Sequence, residues 1–325
     1  MSKIILSASR IGLLAKCSFL YFARYVLHLP QESNSGSIRG GISHSIFEFL
    51  LKKRHKHHYD SIVRTGTIKA SSAVWRLVQL YAKKEKLGEL DNKGVHNLDL
   101  IDKMVVFGLS VDFFCEGQEL EVGELEIKID HPAYRVTGFI DKISKGTDGL
   151  RTLTDYKSSQ SGTDDHSIQA LTYSLWVKRV LKCDAVVKFL YLRAEDEEKF
   201  PDGPIKEYRF SDVELDGFEE YLKSLQVYLE NFTEKDAKAN MAVSKGYPKK
   251  EEGFAGRLMC GRASFPGEMK KDGSAPLYYC SAKFPFIYWV RVKNGKIIES
   301  SKDMLAPNEG EEVIEKTYPG CPAFN

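Results

Sequence analysis

The alternation of apolar and polar positions divides the chain into a helical first third, a strand-rich middle and a mixed C-terminal part. Apolar residues recur at helical spacing over 7–27, 42–56, 70–86, 98–115, 167–181 and 212–236. Strand patterns cover 121–129, 134–144, 150–157, 185–193 and 205–210. A further hairpin is predicted over 286–300, turning at Asn294-Gly295. This mixture predicts an α/β protein.

Composition narrows the class of protein further. The chain has 325 residues and 42% hydrophobic content, which suffices for one large domain or two smaller ones. Its net charge of +2 means that any nucleic-acid surface must come from local clusters. No apolar run reaches the roughly eighteen residues of a membrane span, and the run from Ile4 to Leu14 is too short for a secretory signal. We expect a soluble, cytoplasmic protein without a membrane partner.

Two strand-like segments each lead into a carboxylate, in Gly138-Phe139-Ile140-Asp141 and in Thr154-Asp155-Tyr156-Lys157. Because side chains alternate along a strand, Asp155 and Lys157 share one face and Tyr156 lies on the other. A turn between the segments can bring Asp141 beside them. Two carboxylates and an ammonium group suit the binding of a divalent metal and the stabilisation of a phosphodiester under attack.

A simple salt bridge remains the alternative interpretation of Asp155 and Lys157. The carboxylate-x-lysine triplet occurs six times in the chain, so it is not specific by itself. The best rival is Glu126/Lys128, which has Asp112 fourteen residues upstream. Asp112 lies in a helix-like run, however, whereas Asp141 and Asp155 both end strands.

Two helical pairs add candidate residues. Gln169 and Tyr173 are four residues apart on one helical face, from which they can contact a nucleic-acid backbone or brace the catalytic strand. His44 and Glu48 share a face in the same way, so His44 can add a metal ligand. Each pair can equally be an ordinary feature of a helix surface.

The ordered set of these motifs resembles a known family. A histidine in an N-terminal helix (His44) is followed by a Gly-x-x-Asp strand ending at Asp141, an Asp-x-Lys strand at Asp155 and a Gln-x-x-x-Tyr helix beginning at Gln169. Over about residues 1–193 the chain resembles the RecB-like branch of the PD-(D/E)XK nuclease superfamily. That branch includes the nuclease domains of RecB and AddB and the CRISPR-associated RecB-like exonucleases.

The resemblance implies a restriction-endonuclease-like core, with a mixed central sheet flanked by helices. It places an N-terminal helical region at 1–120, the nuclease core at 121–211, and a C-terminal helix with an irregular cap at 212–325. Function is then expected to be metal-dependent DNA hydrolysis by an exonuclease in replication, recombination or repair, with a helicase or recombination protein as partner. A structure-specific or restriction-like endonuclease and a catalytically silent DNA-binding subunit are the alternatives.

The resemblance also implies roles for the residues of the site. His44, Asp141, Asp155 and the backbone carbonyl of Tyr156 are expected to bind Mg²⁺ or Mn²⁺. Lys157 is expected to position or help deprotonate the attacking water, while Gln169 and Tyr173 orient the strand that is cut. Glu126 is a weaker candidate, which faces the site only if the strand register permits.

Local basic clusters with nearby aromatic residues are candidates for holding single-stranded DNA. They lie at 52–58, 249–250 and 270–271. For each cluster alone, a solvent-exposed helix end or loop is the simpler explanation. Taken with the resemblance, the clusters lead us to expect DNA with single-stranded character as the partner.

Six cysteines in a chain of this length do not form the pattern of a disulfide-rich protein, which predicts reduced thiols. Relatives of the RecB-like branch bind a four-iron cluster through one cysteine of the first helix and a closely spaced trio near the C-terminus. Cys17 matches the first position, but Cys260, Cys280 and Cys321 are widely spaced. Because closely spaced cysteines favour metal ligation, we predict colourless protein without an iron–sulfur cluster.

Overall fold

The computed structural model describes residues 3–31, 33–91, 94–111, 113, 118–159, 165–194, 198–242, 259–273 and 276–324. The helices are α1 (Ala8–Lys16), α2 (Ser18–Tyr25), α3 (Ser35–Leu51), α4 (Lys56–Thr65), α5 (Ala73–Lys84), α6 (Asn97–Ser110), α7 (Ser167–Trp176), α8 (Asp212–Glu230) and α9 (Glu234–Ala239). The strands are β1 (Ile5–Leu6), β2 (Gln118–Val122), β3 (Leu125–Asp130), β4 (Arg135–Ile140), β5 (Lys142–Gly146), β6 (Arg151–Lys157), β7 (Ala185–Tyr191), β8 (Ile205–Tyr208), β9 (Phe286–Lys293), β10 (Lys296–Ser301) and β11 (Glu312–Tyr318). The α/β prediction is confirmed.

Two mixed sheets carry the part of the fold that matters most for function. Five strands pair in the order β2-β5-β6-β7-β8, with β6 and β7 parallel and the other neighbours antiparallel. A smaller sheet has the order β1-β4-β3. The chain passes from the smaller sheet to the larger one between β4 and β5, and the single residue between those strands is Asp141. The change of sheet therefore places a carboxylate at the junction.

Helix α3 packs its apolar side against the central sheet. Its buried residues Ile46, Phe47 and Leu50 belong to a core that also contains Tyr156 and Leu190 of the parallel strands. The ring centroids of Phe47 and Tyr156 are 4.4 Å apart. Since α3 also carries His44, this packing holds the histidine over the sheet.

The polar segment 31–41, which its serine, asparagine and glycine content predicts as a loop, instead contains the start of this helix, because α3 begins at Ser35. Asn34 caps the helix by accepting a hydrogen bond from the Ser37 N–H at 2.9 Å. A Cβ atom at Gly40 would lie only 2.5 Å from Oγ of Ser158. Glycine in this helix thus permits close approach to the end of β6 rather than breaking the helix.

Other boundaries differ because single residues interrupt the apolar patterns. The first predicted helix divides into α1 and α2 at Cys17, which has extended backbone angles. The predicted strand over 121–129 becomes β2 and β3, and the strand over 134–144 becomes β4 and β5. The hairpin at Asn294-Gly295 is confirmed, with positive φ at both residues, but β11, which the sequence analysis missed, pairs with its first strand.

The chain divides into two compact units, residues 1–8 with 33–227, and residues 9–32 with 228–325. This grouping differs from the three segments expected from the sequence, because most of the first two helices belongs with the C-terminal part. The second unit contains the β10-β9-β11 sheet and its own apolar core, which includes Phe19, Phe22 and Tyr288. In the described part of the chain, no helix has the length and apolarity needed to cross a bilayer.

Candidate active site

Asp141 and Asp155 approach each other from neighbouring strands of the first unit. Lys142, which follows Asp141, pairs with Thr154, which precedes Asp155. Asp141 receives a hydrogen bond on Oδ2 from the Tyr156 N–H at 2.8 Å. This bond fixes the first carboxylate beside the strand that carries the second. The juxtaposition expected from the sequence is therefore present in the structure.

His44 reaches the same place from α3. Its Nδ1 lies 2.8 Å from Oδ1 of Asp141, and about a third of its side chain is exposed. Burial is the largest single influence and lowers the pKa of His44, but the charge and hydrogen bond of Asp141 and the charge of Asp155 together make the net shift upward. The T-shaped contact between the rings of His44 and Tyr156 further fixes the imidazole. Two of the four expected metal ligands, His44 and Asp141, thus meet in one contact.

Asp155 is the most buried acid of the site, with 5% of its surface exposed. Burial raises its pKa, the Lys157 ammonium opposes this rise, and the Asp141 carboxylate adds to it. Its Oδ1 accepts hydrogen bonds from Gln169 Nε2 and from the Tyr173 hydroxyl, both at 2.8 Å. One oxygen of the carboxylate is therefore fully occupied by helix α7.

The other oxygen of Asp155 is in a different situation. Nζ of Lys157 lies 2.6 Å from Oδ2 in an ion pair, but among the described residues this buried oxygen has no partner with full hydrogen-bond geometry. Lys157 instead donates to Oε1 of Gln169 at 2.7 Å and lies over the ring of Phe189. A buried, incompletely satisfied carboxylate oxygen is a suitable ligand for a hard divalent cation.

Gln169 and Tyr173 serve as braces within the protein. Gln169 bridges Asp155 and Lys157 through its amide nitrogen and oxygen, and it also donates to the Tyr173 hydroxyl. The single proton of that hydroxyl has two acceptors within hydrogen-bond distance, the carbonyl of Phe139 and the carboxylate of Asp155. Burial, followed by the charge of Asp155, raises the pKa of Tyr173 well above its ordinary value, which keeps the hydroxyl protonated as a donor. The bracing interpretation explains every one of these contacts.

Gly138 has a steric reason to be glycine. A Cβ atom at this position would lie 3.3 Å from Cε1 of Tyr173 and 3.4 Å from Ile127. The ring of Tyr173 therefore lies against the strand where a side chain would otherwise stand. The glycine of the Gly-x-x-Asp pattern and the tyrosine of the Gln-x-x-x-Tyr pattern thus pack against each other.

The weaker candidate Glu126 does not join this group. It pairs with Lys128 at 2.9 Å on an exposed surface, and its cross-strand partner is Phe139, which is 55% exposed. The Glu126/Lys128 triplet, the rival of Asp155/Lys157, is therefore an ordinary surface ion pair. Asp112, the carboxylate upstream of it, lies outside the described residues. The cause is register, since Ile127 rather than Glu126 packs near Tyr173.

Glu124 comes close to the site instead, and the sequence analysis missed it. Burial raises its pKa, and the charges of Glu48 and Asp141 raise it further. Glu48 itself pairs with Lys52 at 2.9 Å. Glu124 lies in the turn between β2 and β3. The sequence analysis looked for alternating strand residues, and this pattern gives no indication of a functional residue in a turn.

The residues of the site fit a divalent metal in their chemistry. Two carboxylates, one imidazole and a backbone carbonyl are the hard and borderline donors that Mg²⁺ or Mn²⁺ binds. Within the described ranges, no set of three or more His, Cys, Asp or Glu side chains already has the spacing of a single-ion shell. At this site the expected ligands are not arranged around one ion, because Asp141 is hydrogen-bonded to His44 and Asp155 forms an ion pair with Lys157.

The four cysteines considered above all belong to the second unit and take part in one apolar cluster. The Cys280 N–H donates to the Cys260 carbonyl at 3.1 Å, and the Ala242 N–H contacts Sγ of Cys17 at 3.4 Å. Burial raises the pKa of Cys280 to about 11, and the nearby Cys17, Cys260 and Cys321 contribute to this rise. The wide sequence spacing therefore does not keep these residues apart in the fold, and the predicted absence of a cluster stays a prediction.

The comparisons with known proteins agree with the arrangement of the first unit. The family model of the PD-(D/E)XK nuclease superfamily matches residues 5–244. The chain belongs to the PD-(D/E)XK nuclease superfamily. Its matched region contains His44, Asp141, Asp155, Lys157, Gln169 and Tyr173, so the whole site lies within the nuclease domain.

Solved structures with similarity to this nuclease are distant from it. A protein from Eubacterium rectale that is provisionally named an exonuclease is 12% identical, with a TM-score of 0.45, covering 70% of this chain and 81% of its own. A second structure, that of SSO0001, is 15% identical with a TM-score of 0.23, covering 66% of this chain and 85% of its own. No curated protein matches the chain significantly.

Proposed function

We propose that this nuclease is a metal-dependent deoxyribonuclease of the RecB-like branch, acting as an exonuclease in replication, recombination or repair. The observation that carries the proposal is the buried Asp155 carboxylate, held on one side by Gln169 and Tyr173 and facing Lys157 and Asp141 on the other. Such an arrangement stabilises charge that develops at a phosphodiester. The ordered RecB-like motifs support the finer assignment.

Within this proposal each residue has a distinct task. His44, Asp141, Asp155 and the carbonyl of Tyr156 would hold Mg²⁺ or Mn²⁺, which when bound polarises the phosphoryl oxygen and activates water. Lys157 moves from its pairing with Asp155 to the developing charge on the phosphate. Gln169 and Tyr173 hold the Asp155 carboxylate, and Gln169 also holds the Lys157 ammonium, in fixed positions. The partners that we propose are single-stranded DNA ends and a helicase or recombination protein.

Incubation with end-labelled linear DNA and closed circular DNA tests the proposal. We expect degradation of the linear substrate in Mg²⁺ or Mn²⁺, no degradation in EDTA, and intact circles. Cutting of the circles would assign an endonuclease instead. Binding without cleavage under any metal would favour the silent DNA-binding subunit.

Replacing Lys157 with alanine should reduce turnover by about 10²–10³-fold, the usual cost of removing a charge-stabilising donor. DNA binding should change little, because the ammonium acts mainly as charge develops in the transition state. Single-turnover cleavage at saturating DNA measures the effect. Lys128→Ala is the matched control, since Lys128 occupies the same place in the rival triplet but lies on the surface. Equal activities of the two variants would contradict the role of Lys157.

We also propose that Cys17, Cys260, Cys280 and Cys321 bind an iron–sulfur cluster that stabilises the second unit. Four thiols in one partly buried cluster are the donor set of such centres. In an [4Fe–4S] cluster each thiolate binds a different iron, so the sulfurs stand farther apart than around a single ion. This spacing is compatible with the lack of a single-ion shell among the described residues.

A further inference from the structure

Two arginines, Arg39 and Arg193, lie near the end of the strand that carries Asp155 and Lys157. Arg39 lies on α3, five residues before His44, which corresponds to about 7.5 Å along the helix axis. It is buried, with 4% of its surface exposed, and it donates a hydrogen bond to Oδ1 of Asn97. Burial lowers its pKa, and the next largest cause of the lowering is the positive charge of Arg193, which outweighs the opposing charge of Asp91.

Arg193 arrives from the neighbouring strand. The N–H of Leu192 donates to the carbonyl of Lys157 at 2.8 Å, which extends the parallel pairing of β6 and β7 by one residue. Arg193 is the next residue along the chain, and its buried Nη1 has no hydrogen-bond partner in the part of the chain that the structure describes. A buried guanidinium nitrogen without an acceptor is costly, so its position needs an explanation.

Hydroxyl groups of the catalytic strand lie in the same place. Gly40, next to Arg39, is so close to Ser158 that a Cβ atom there would lie 2.5 Å from the serine Oγ. Ser159 follows directly, and its buried Oγ has no hydrogen-bond partner among the described residues. Helix α3 is therefore in contact, beside Arg39, with the same strand end that Leu192 reaches from the neighbouring strand.

Like charges held together in a partly buried place repel each other unless an anion lies between them. Arginine is the side chain best suited to bind phosphate oxygens, because its donors form a planar fork. We propose that Arg193, with Arg39 and Ser159, binds a non-scissile phosphate of the DNA strand being cut. The inference rests on the proposed nuclease function and adds a second phosphate contact beside the metal-binding carboxylates.

A phosphate held here positions the substrate. The contact lies at the end of the strand that bears Asp155 and Lys157, so the sugar-phosphate backbone is fixed at two points. Fixing two points of a flexible strand orients the scissile phosphate toward the catalytic groups. Because the contact is made with a phosphate and not with a base, it applies equally to every DNA sequence.

The experiment compares the wild type with Arg193→Gln and Arg193→Lys in binding to a short single-stranded oligonucleotide, in EDTA so that no cleavage occurs. Arg193→Gln should weaken binding about 10-fold and reduce the slope of log K against log salt by about 0.7, the value for one phosphate contact on a single strand. Arg193→Lys should keep the slope. Arg135→Ala is the control, because it removes an arginine that pairs with Asp130 on the surface of the same unit.

A scan with one neutral methylphosphonate linkage at a time identifies the phosphate. One linkage should be sensitive in the wild type and insensitive in Arg193→Gln. An unchanged slope in Arg193→Gln, or a wild type that is equally sensitive at every linkage, would overturn the phosphate site while leaving the nuclease proposal intact. Absence of DNA binding and cleavage by the wild type would overturn both. Thermal unfolding of each variant shows whether it is folded, and the linkage scan of the wild type retains the test if Arg193→Gln is not.

Discussion

Replacing Asp141 with alanine, or Asp155 with asparagine, should reduce DNA cleavage by at least about 10³-fold, because a bound metal contributes several kcal/mol to transition-state stabilisation. Asp141→Ala removes the acceptor of both His44 and the Tyr156 N–H. Asp155→Asn keeps the shape of the buried side chain but removes the charge that a metal needs. The measurement is the initial rate of release of labelled nucleotides in Mg²⁺ and in Mn²⁺.

The control for these variants is Glu126→Ala, which removes a carboxylate from the rival triplet at the surface. It should cleave at the wild-type rate. DNA affinity in EDTA should survive in Asp141→Ala, since the proposed phosphate contacts lie elsewhere. Wild-type cleavage by either site variant would refute the assignment of the metal site, even though the chain belongs to a nuclease superfamily.

The local parts of the site could be predicted from the sequence because they depend on short-range geometry. Strand alternation fixes Asp155 and Lys157 on one face, and helical spacing fixes Gln169 and Tyr173 on another. The structure joins these two faces through direct hydrogen bonds. What alternation alone could not decide was whether the helical pair faces DNA or braces the strand, since that depends on the packing of α7 against Gly138.

The parts that could not be predicted depend on contacts between distant segments. The start of α3 at Ser35 was missed because its glycines suggested a loop, whereas Gly40 is needed for the close approach to Ser158. Glu124 and Arg193 carry no local pattern, since each lies beyond the end of a strand. The same limit applies to the basic clusters: residues 249–250 lie outside the described residues, and Lys52 and Lys56 of the first cluster pair with Glu48 and Asp60.

The cysteines show this limit most clearly. Their separation in sequence predicts independent thiols, and the closest pair, Cys260 and Cys280, encloses nineteen residues. Ordinary backbone pairing brings the two cysteines together in the structure. The N–H of Cys280 donates a hydrogen bond to the carbonyl of Cys260, and Gly261 forms a β-bridge with Tyr279. The entropy of closing the loop is thus offset by the fold of the second unit rather than by a metal. In the cluster that we propose, iron would therefore bind thiols that the fold has already brought together.

Protein purified without oxygen should accordingly be brown, with visible absorbance and stoichiometric iron and sulfide, contrary to the prediction from sequence spacing. Cys280→Ser should reduce bound iron to near zero and lower the thermal stability of the second unit, since ligation contributes to folding directly. Cys183→Ser is the matched control, because Cys183 lies in the first unit, where Arg151 contacts its sulfur at 2.8 Å. It should retain the full iron content. Colourless wild-type protein without iron, together with an unchanged unfolding temperature of Cys280→Ser, would show that the four thiols only fill the apolar core; one zinc per chain would indicate a single-ion site instead.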